Sequence, residues 1–171
     1  MSDKRSIASS QHPNIVILIL LILLAARRVN TYSLISLPAG ALFARITTAA
    51  LAQHTTYATV AISKDKCIDL NSDLVYCNHS CNPSLIFDMG KFEVRVVDDR
   101  PLHVGDALTF FYPSSEWTMA QPFHCECGSG DKCVGMIGGA SKIKPAILKK
   151  YWLNAHIKQF IGEKMRQGST Y

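Results

Sequence analysis

Apolar and polar positions divide this chain into many short segments. Ile15 to Ala26 is an unbroken apolar run, closed by Arg27 and Arg28. As a helix it would span about 18 Å, short of the roughly 30 Å hydrocarbon core of a bilayer. It is therefore expected to pack against protein as a buried strand or helix, with a membrane anchor or signal segment as the alternative. Tyr32 to Ile46 reads as strand, turn, strand, with Pro38-Ala39-Gly40 as the turn. Tyr57 to Ile62 and Lys66 to Leu70 are short strand candidates, separated by the polar Ser63-Lys64-Asp65. Phe92 to Val96 alternates with period two, as a half-buried strand does. Asp98 to Arg100 turns the chain, and Leu108 to Tyr112 forms another strand. Pro145 suits the first turn of a helix. Beyond it Leu148, Trp152 and Ala155 share one helical face, while Leu153, Ile157, Phe160 and Ile161 share another. The pattern predicts a mainly β domain of short strands, followed by an amphipathic helical segment.

Size adds one constraint: 171 residues suit one domain with terminal extensions, and 48% hydrophobic content supports a core. The net charge of +5 is unevenly spread. Asp65 to Glu116 holds nine acids against four Lys or Arg, whereas Lys132 to the end holds eight Lys or Arg against one acid. The basic end is expected to be a solvated helix face, with contact to nucleic acid or acidic lipid as the alternative. Without a long basic run or interleaved aromatics, no specific nucleic-acid binding is expected.

The six cysteines are not spaced as three disulfides. Cys125 and Cys127 are one residue apart and Cys133 follows closely. Such neighbours seldom bridge each other, whereas thiolates around one tetrahedral ion need short spacings. Cys67 and Cys77 read as buried apolar residues. Metal-holding thiolates fit a reducing compartment, so a nuclear or cytoplasmic location is expected, with membrane anchoring by residues 15–26 as the alternative.

Three motifs follow in order: Asn78-His79-Ser80-Cys81-Asn82-Pro83, then Gly105-Asp106-Ala107-Leu108-Thr109-Phe110-Phe111-Tyr112, then Cys125-Glu126-Cys127 with Cys133. Together they resemble the second half of a SET domain with its post-SET zinc knuckle, the architecture of lysine methyltransferases. The resemblance covers residues 66 to 139 and, more loosely, 32 to 65. It implies a SET-type fold of short β-sheets with a knot-like crossing, a zinc knuckle and a C-terminal helical segment. On that reading residues 1–31 are an N-terminal extension, 32–113 the SET domain, 114–140 the knuckle and 141–171 the helical segment. The chain departs from the family in several places. No Gly-x-Gly loop precedes Tyr32, Val75 and Ser84 replace the usual Arg and Asn, and five residues rather than four separate Cys127 from Cys133.

The resemblance also implies a chemistry. Asn78 and His79 would hydrogen-bond S-adenosyl-L-methionine, Tyr112 would be catalytic, and Phe110 would tune the methyl channel. Cys81 would join Cys125, Cys127 and Cys133 as the fourth zinc ligand. The expected substrate is the ε-amine of a protein or peptide lysine, a histone among the candidates, acted on by a monomer. Methyl transfer to a small-molecule amine and a non-catalytic, zinc-stapled binding module are the rival readings.

Overall fold

In the computed structural model, residues 5–8, 13–20 and 28–168 are described, with side chains for 13–15 and 30–168. Three strands, β1 (Arg5–Ala8), β2 (Ile15–Leu20) and β3 (Arg28–Ser33), form an antiparallel sheet in that order. The apolar run is thus a strand as far as Leu20, and residues 21–26 lie outside the described ones. Its first residue, Ile15, belongs to the main core. No helix among the described residues is long and apolar enough to cross a membrane.

Past the Pro38–Gly40 turn comes β4 (Leu42–Arg45), then β5 (Ala50–Leu51), β6 (Val60–Ala61) and β7 (Cys67–Asp69). β7 pairs antiparallel with β5 on one side and β6 on the other. A 3-10 turn, Asp73–Tyr76, leads into β8 (Asn78–His79). β9 (Leu85–Asp88) and β10 (Glu93–Val96) form a hairpin, and β10 pairs with β4 on its other edge. β11 (Thr109–Phe110) then returns to lie parallel to β8.

The β9 strand is absent from the sequence reading for a physical reason. All four of its residues are buried, so it shows no period-two alternation to read. In β10 the alternation is real: Val94 and Val96 are buried, Glu93 and Arg95 half-buried. Phe92, expected as the start of that strand, instead has φ +53° and belongs to the hairpin turn.

The chain closes with β12 (Phe123–His124), β13 (Met136–Ile137), α1 (Pro145–Leu148) and α2 (Ala155–Gly168). Pro145 starts α1 as expected. The helical pattern does not continue through Trp152, because residues 149–154 leave the helix. There Tyr151 stacks on Phe111, with ring centroids 3.7 Å apart, and Asn154 enters the core. Asn154 is 2% exposed. Its Nδ2 donates to the carbonyls of Phe87 and Ser114, both at 3.0 Å, and its Oδ1 accepts from the Met89 N–H at 2.9 Å.

Consecutive phenylalanines feed two cores. Phe110 packs with β4, β9 and β10, and Phe111 with Ile143, Leu148, Leu153 and Ile157. Opposite faces of one extended strand explain the division.

Candidate active site

The parallel pairing of β8 and β11 places Asn78 opposite Thr109 and His79 opposite Phe110. Two motifs far apart in sequence therefore share one edge. The Ser80 N–H donates to the Phe110 carbonyl at 3.1 Å. In a parallel ladder one residue bonds both neighbours of its partner, so the N–H and C=O of His79 face away from β11. Arg100 holds the following loop, its Nη2 donating to the carbonyls of Asn82, at 3.0 Å, and Pro83.

Asn78 donates from Nδ2 to Oδ1 of Asn30 at 3.0 Å. Asn30 carries no sequence signal. It arrives through β3, whose neighbours Thr31 and Ser33 bond residues 105–108: the Leu108 N–H donates to Thr31 O at 2.8 Å and the Ser33 N–H to Asp106 O at 2.9 Å. β3 thus builds the wall beside Asn78 where the SET pattern has a Gly-x-Gly loop.

His79 is buried, and burial lowers its pKa to about 4, so the ring is neutral. Its Nδ1 accepts the Tyr112 backbone N–H at 3.2 Å. That assigns the ring proton to Nε2, which lies 3.4 Å from Cys81 Sγ. Both ring nitrogens are used inside the protein, so any contact of His79 with a bound nucleoside falls to its backbone.

Tyr112 donates its hydroxyl to the Cys77 carbonyl at 3.0 Å. Burial raises the phenol pKa, and Cys77 nearby adds to the rise. The ring lies 4.6 Å from Phe110, which stacks on Phe87 at 4.1 Å. Tyr112 borders two spaces. One is a broad cleft of about 1590 Å³ that Asn30, Asn78 and His79 also line. The other is a cavity of about 310 Å³ lined by Phe110, Leu74, Val75 and Phe123. Tyr57, 82% exposed, stands at the mouth of both.

Glu116 also lines the smaller cavity. Its N–H donates to the Tyr112 carbonyl at 3.0 Å, and its Oε1 accepts the Ala61 N–H at 2.8 Å. Burial raises its pKa to about 6, against hydrogen bonds from Ala61 and Ser115 that lower it. A single acid beside a tryptophan gives no warning of this in the sequence.

Across the cleft, the β12–β13 hairpin presents Cys125, Cys127 and Cys133 to Cys81, which lies just past β8. The longer spacing after Cys127 is taken up by Gly128 and Gly130, at φ +68° and +54°, where a side chain would strain the backbone. The four Sγ atoms lie within 4.8 Å of one another, and Cys81 and Cys125 are 3.8 Å apart. Four ligands around one ion at about 2.3 Å stand about 3.8 Å apart, so the donor set fits a tetrahedral thiolate site. The Val134 N–H points at Cys81 Sγ from 3.3 Å. Burial pushes the Cys81 thiol up to about 11, whereas Cys127, 3.1 Å from Ser129 Oγ, falls to about 6 despite its desolvation. All six cysteines are unbridged, and Cys67 and Cys77 are buried as expected.

No family model matches this chain. It is 58% identical over 132 residues to Methyltransferase flvH of Aspergillus flavus, covering 77% of this chain and 74% of that protein. It is 31% identical over 78 residues to a histone-lysine N-methyltransferase, H3 lysine-36 specific, of Eremothecium gossypii, and 31% over 94 residues to one of Debaryomyces hansenii. Those matches take in 43% and 51% of this chain but only 11% and 13% of the two enzymes. By its extended match to flvH and its sheets of short strands, the chain belongs to the same methyltransferase family as Methyltransferase flvH, with a SET-like fold.

Proposed function

We propose that the protein is an S-adenosyl-L-methionine-dependent N-methyltransferase acting on the ε-amine of a protein lysine. One observation carries this reading: Tyr112 stands between the cleft of Asn78 and His79 and the cavity of Phe110. In-line displacement needs the nucleophile and the leaving group on opposite sides of the methyl carbon. Two spaces that share one tyrosine meet that need.

When bound, S-adenosyl-L-methionine supplies a methyl group on a sulfonium. Asn78, oriented by Asn30, and the outward-facing backbone of His79 would hold the nucleoside and amino-acid parts. On the other side Phe110, Tyr112 and Phe123 exclude water from the amine. That favours its neutral form, which alone has a lone pair. The ammonium gives up a proton to water. The neutral nitrogen, held beside Tyr112, would then be placed to take the methyl group that the cofactor supplies. The Tyr112 oxygen, fixed by the Cys77 carbonyl, stabilises the shifting charge. Cys81, Cys125, Cys127 and Cys133 would hold a zinc ion that fastens the hairpin beside the cleft, which would couple metal and cofactor binding. Unbridged thiols support action in the nucleus or cytoplasm.

Calorimetry on the zinc-loaded full chain tests the cofactor. Binding is expected in roughly the tens to hundreds of micromolar range, and Asn78→Ala should remove it. Radiolabelled methyl transfer to an H3-tail peptide tests the acceptor. No heat at millimolar cofactor would refute the methyltransferase reading. Cofactor binding without labelled peptide, but with labelled alkyl amine, would move the acceptor to a small molecule.

A further inference from the structure

The cavity beside Tyr112 is apolar apart from a few neutral hydrogen-bonding groups and one carboxylate. Its aliphatic and aromatic lining comes from Val60, Leu70, Leu74, Val75, Phe110 and Phe123. Glu116 is the sole residue on it that carries a full charge at neutral pH. A second cleft, of about 610 Å³, borders Glu116 on its other side and is flanked by Lys64, Lys66 and Lys164. Among the described residues none of these forms an ion pair with it. An anion in an apolar cavity is costly unless a cation meets it. The backbone around Glu116 fixes it there. Its carbonyl accepts the Ala140 N–H at 2.8 Å, and a Cβ on Gly139 would come 2.5 Å from the Trp117 oxygen, so the two strands of chain are in direct contact.

We infer that Glu116 recognises the methyl acceptor on entry to this cavity as an ammonium cation paired with its carboxylate, the state that precedes loss of the proton and reaction of the neutral amine beside Tyr112. The inference rests on the reading that Tyr112 marks the site of methyl transfer, and it defines the acceptor class. Primary and secondary alkyl amines, lysine side chains among them, carry the positive charge that Glu116 pairs with. Alcohols and thiols of the same shape do not, and an acceptor carboxylate near the nitrogen would be repelled. Glu116 is thus a recognition residue: it selects by charge, while Phe110 and its neighbours select by shape.

The test uses n-hexylamine and 1-hexanol, matched in length, titrated into the zinc-loaded full chain at neutral pH. The wild type should bind the amine at least roughly tenfold more tightly than the alcohol, the size expected of one charge-assisted contact. In Glu116→Gln the preference should fall to within about twofold. Equal affinity for the two probes in the wild type would overturn the inference without any variant, and so would an undiminished preference in Glu116→Gln. Cofactor calorimetry on the same samples separates the two readings. Cofactor binding without amine preference removes only the role of Glu116. Amine preference without cofactor binding removes the proposed function and leaves an amine site of another purpose.

Discussion

The backbone N–H of Tyr112 is held by Nδ1 of His79 at 3.2 Å, and the other nitrogen of the same ring reaches Cys81 Sγ at 3.4 Å. One imidazole therefore links the position of the tyrosine to the cysteine cluster. Two substitutions separate the nitrogens. His79→Asn keeps an acceptor near Nδ1 and should lower zinc affinity about tenfold, the usual cost of losing a contact to a metal ligand. His79→Gln keeps a donor near Nε2 and should retain the metal while lowering turnover. Zinc competition and methyl-transfer assays on both variants check this. Equal zinc affinity in the two would dissolve the link.

Tyr112→Phe removes the hydroxyl that donates to the Cys77 carbonyl at 3.0 Å. Turnover should fall by about two orders of magnitude or more, with cofactor affinity nearly unchanged, as for a group acting mainly in the transition state. Single-turnover kinetics beside calorimetry give both numbers. A fully active variant would take Tyr112 out of the mechanism.

Zinc should be found at about one ion per chain by metal analysis, with metal–sulfur distances near 2.3 Å by X-ray absorption. Cys127→Ser should release it. A chelator should lower the midpoint of thermal unfolding, because four clustered thiols lose the ion that holds them together. An unchanged midpoint in metal-free protein would show that the cluster is held by packing alone.

Asn154→Ala strands the Met89 N–H in the core and takes one donor each from the Phe87 and Ser114 carbonyls, the latter keeping the backbone N–H of residue 154 at 3.0 Å. A cost of about 3 kcal/mol is expected in urea unfolding, since each unsatisfied buried group costs about 1–3 kcal/mol. Ser114 lies in the turn that begins at Tyr112, so turnover should fall as well. A loss below about 1 kcal/mol would mean that water replaces the amide.

Glu116 sets a pH dependence. Its folded pKa, near 6, lies above the unfolded carboxyl value, so folding favours the protonated form. That contribution is fully present below the unfolded pKa and is lost as pH rises through about 6. The groups facing it are Lys64, Asp65, Lys66, His156, Glu163 and Lys164 on one side, and Tyr57, Cys77 and Tyr112 on the other. Glu116→Gln keeps an acceptor for Ala61 and should gain about 1–2 kcal/mol on the wild type between about pH 5 and pH 8. A pH-independent difference between the two proteins would contradict the assignment.

The parts of the fold legible in the sequence were those whose signal is local. Val94 and Val96 announce β10 by alternation, Pro145 announces the start of α1, and the cysteine spacing announces the cluster. β9 was hidden because a strand buried on both faces has no polar side to give it a period. The break after α1 was hidden because Leu148, Trp152 and Ala155 keep a helical spacing across it, while Tyr151 and Asn154 serve partners some forty residues or more away. Asn30 and Glu116 were unreadable for the same reason. Each is an ordinary polar residue in sequence and acquires its place only when β3 and β6 dock.

The Tyr151 hydroxyl donates to the Cys81 carbonyl at 2.9 Å while its ring covers Phe111. This tie has a consequence for biosynthesis. Cys81, Cys125, Cys127 and Cys133 all leave the ribosome before the tyrosine that ties down the Cys81 backbone. A nascent chain therefore carries these four thiols without that tie until residues 149–154 are translated, open to oxidation or to capture of a wrong ion. Supply of the correct metal during translation, rather than after release, would then govern how much of the protein matures.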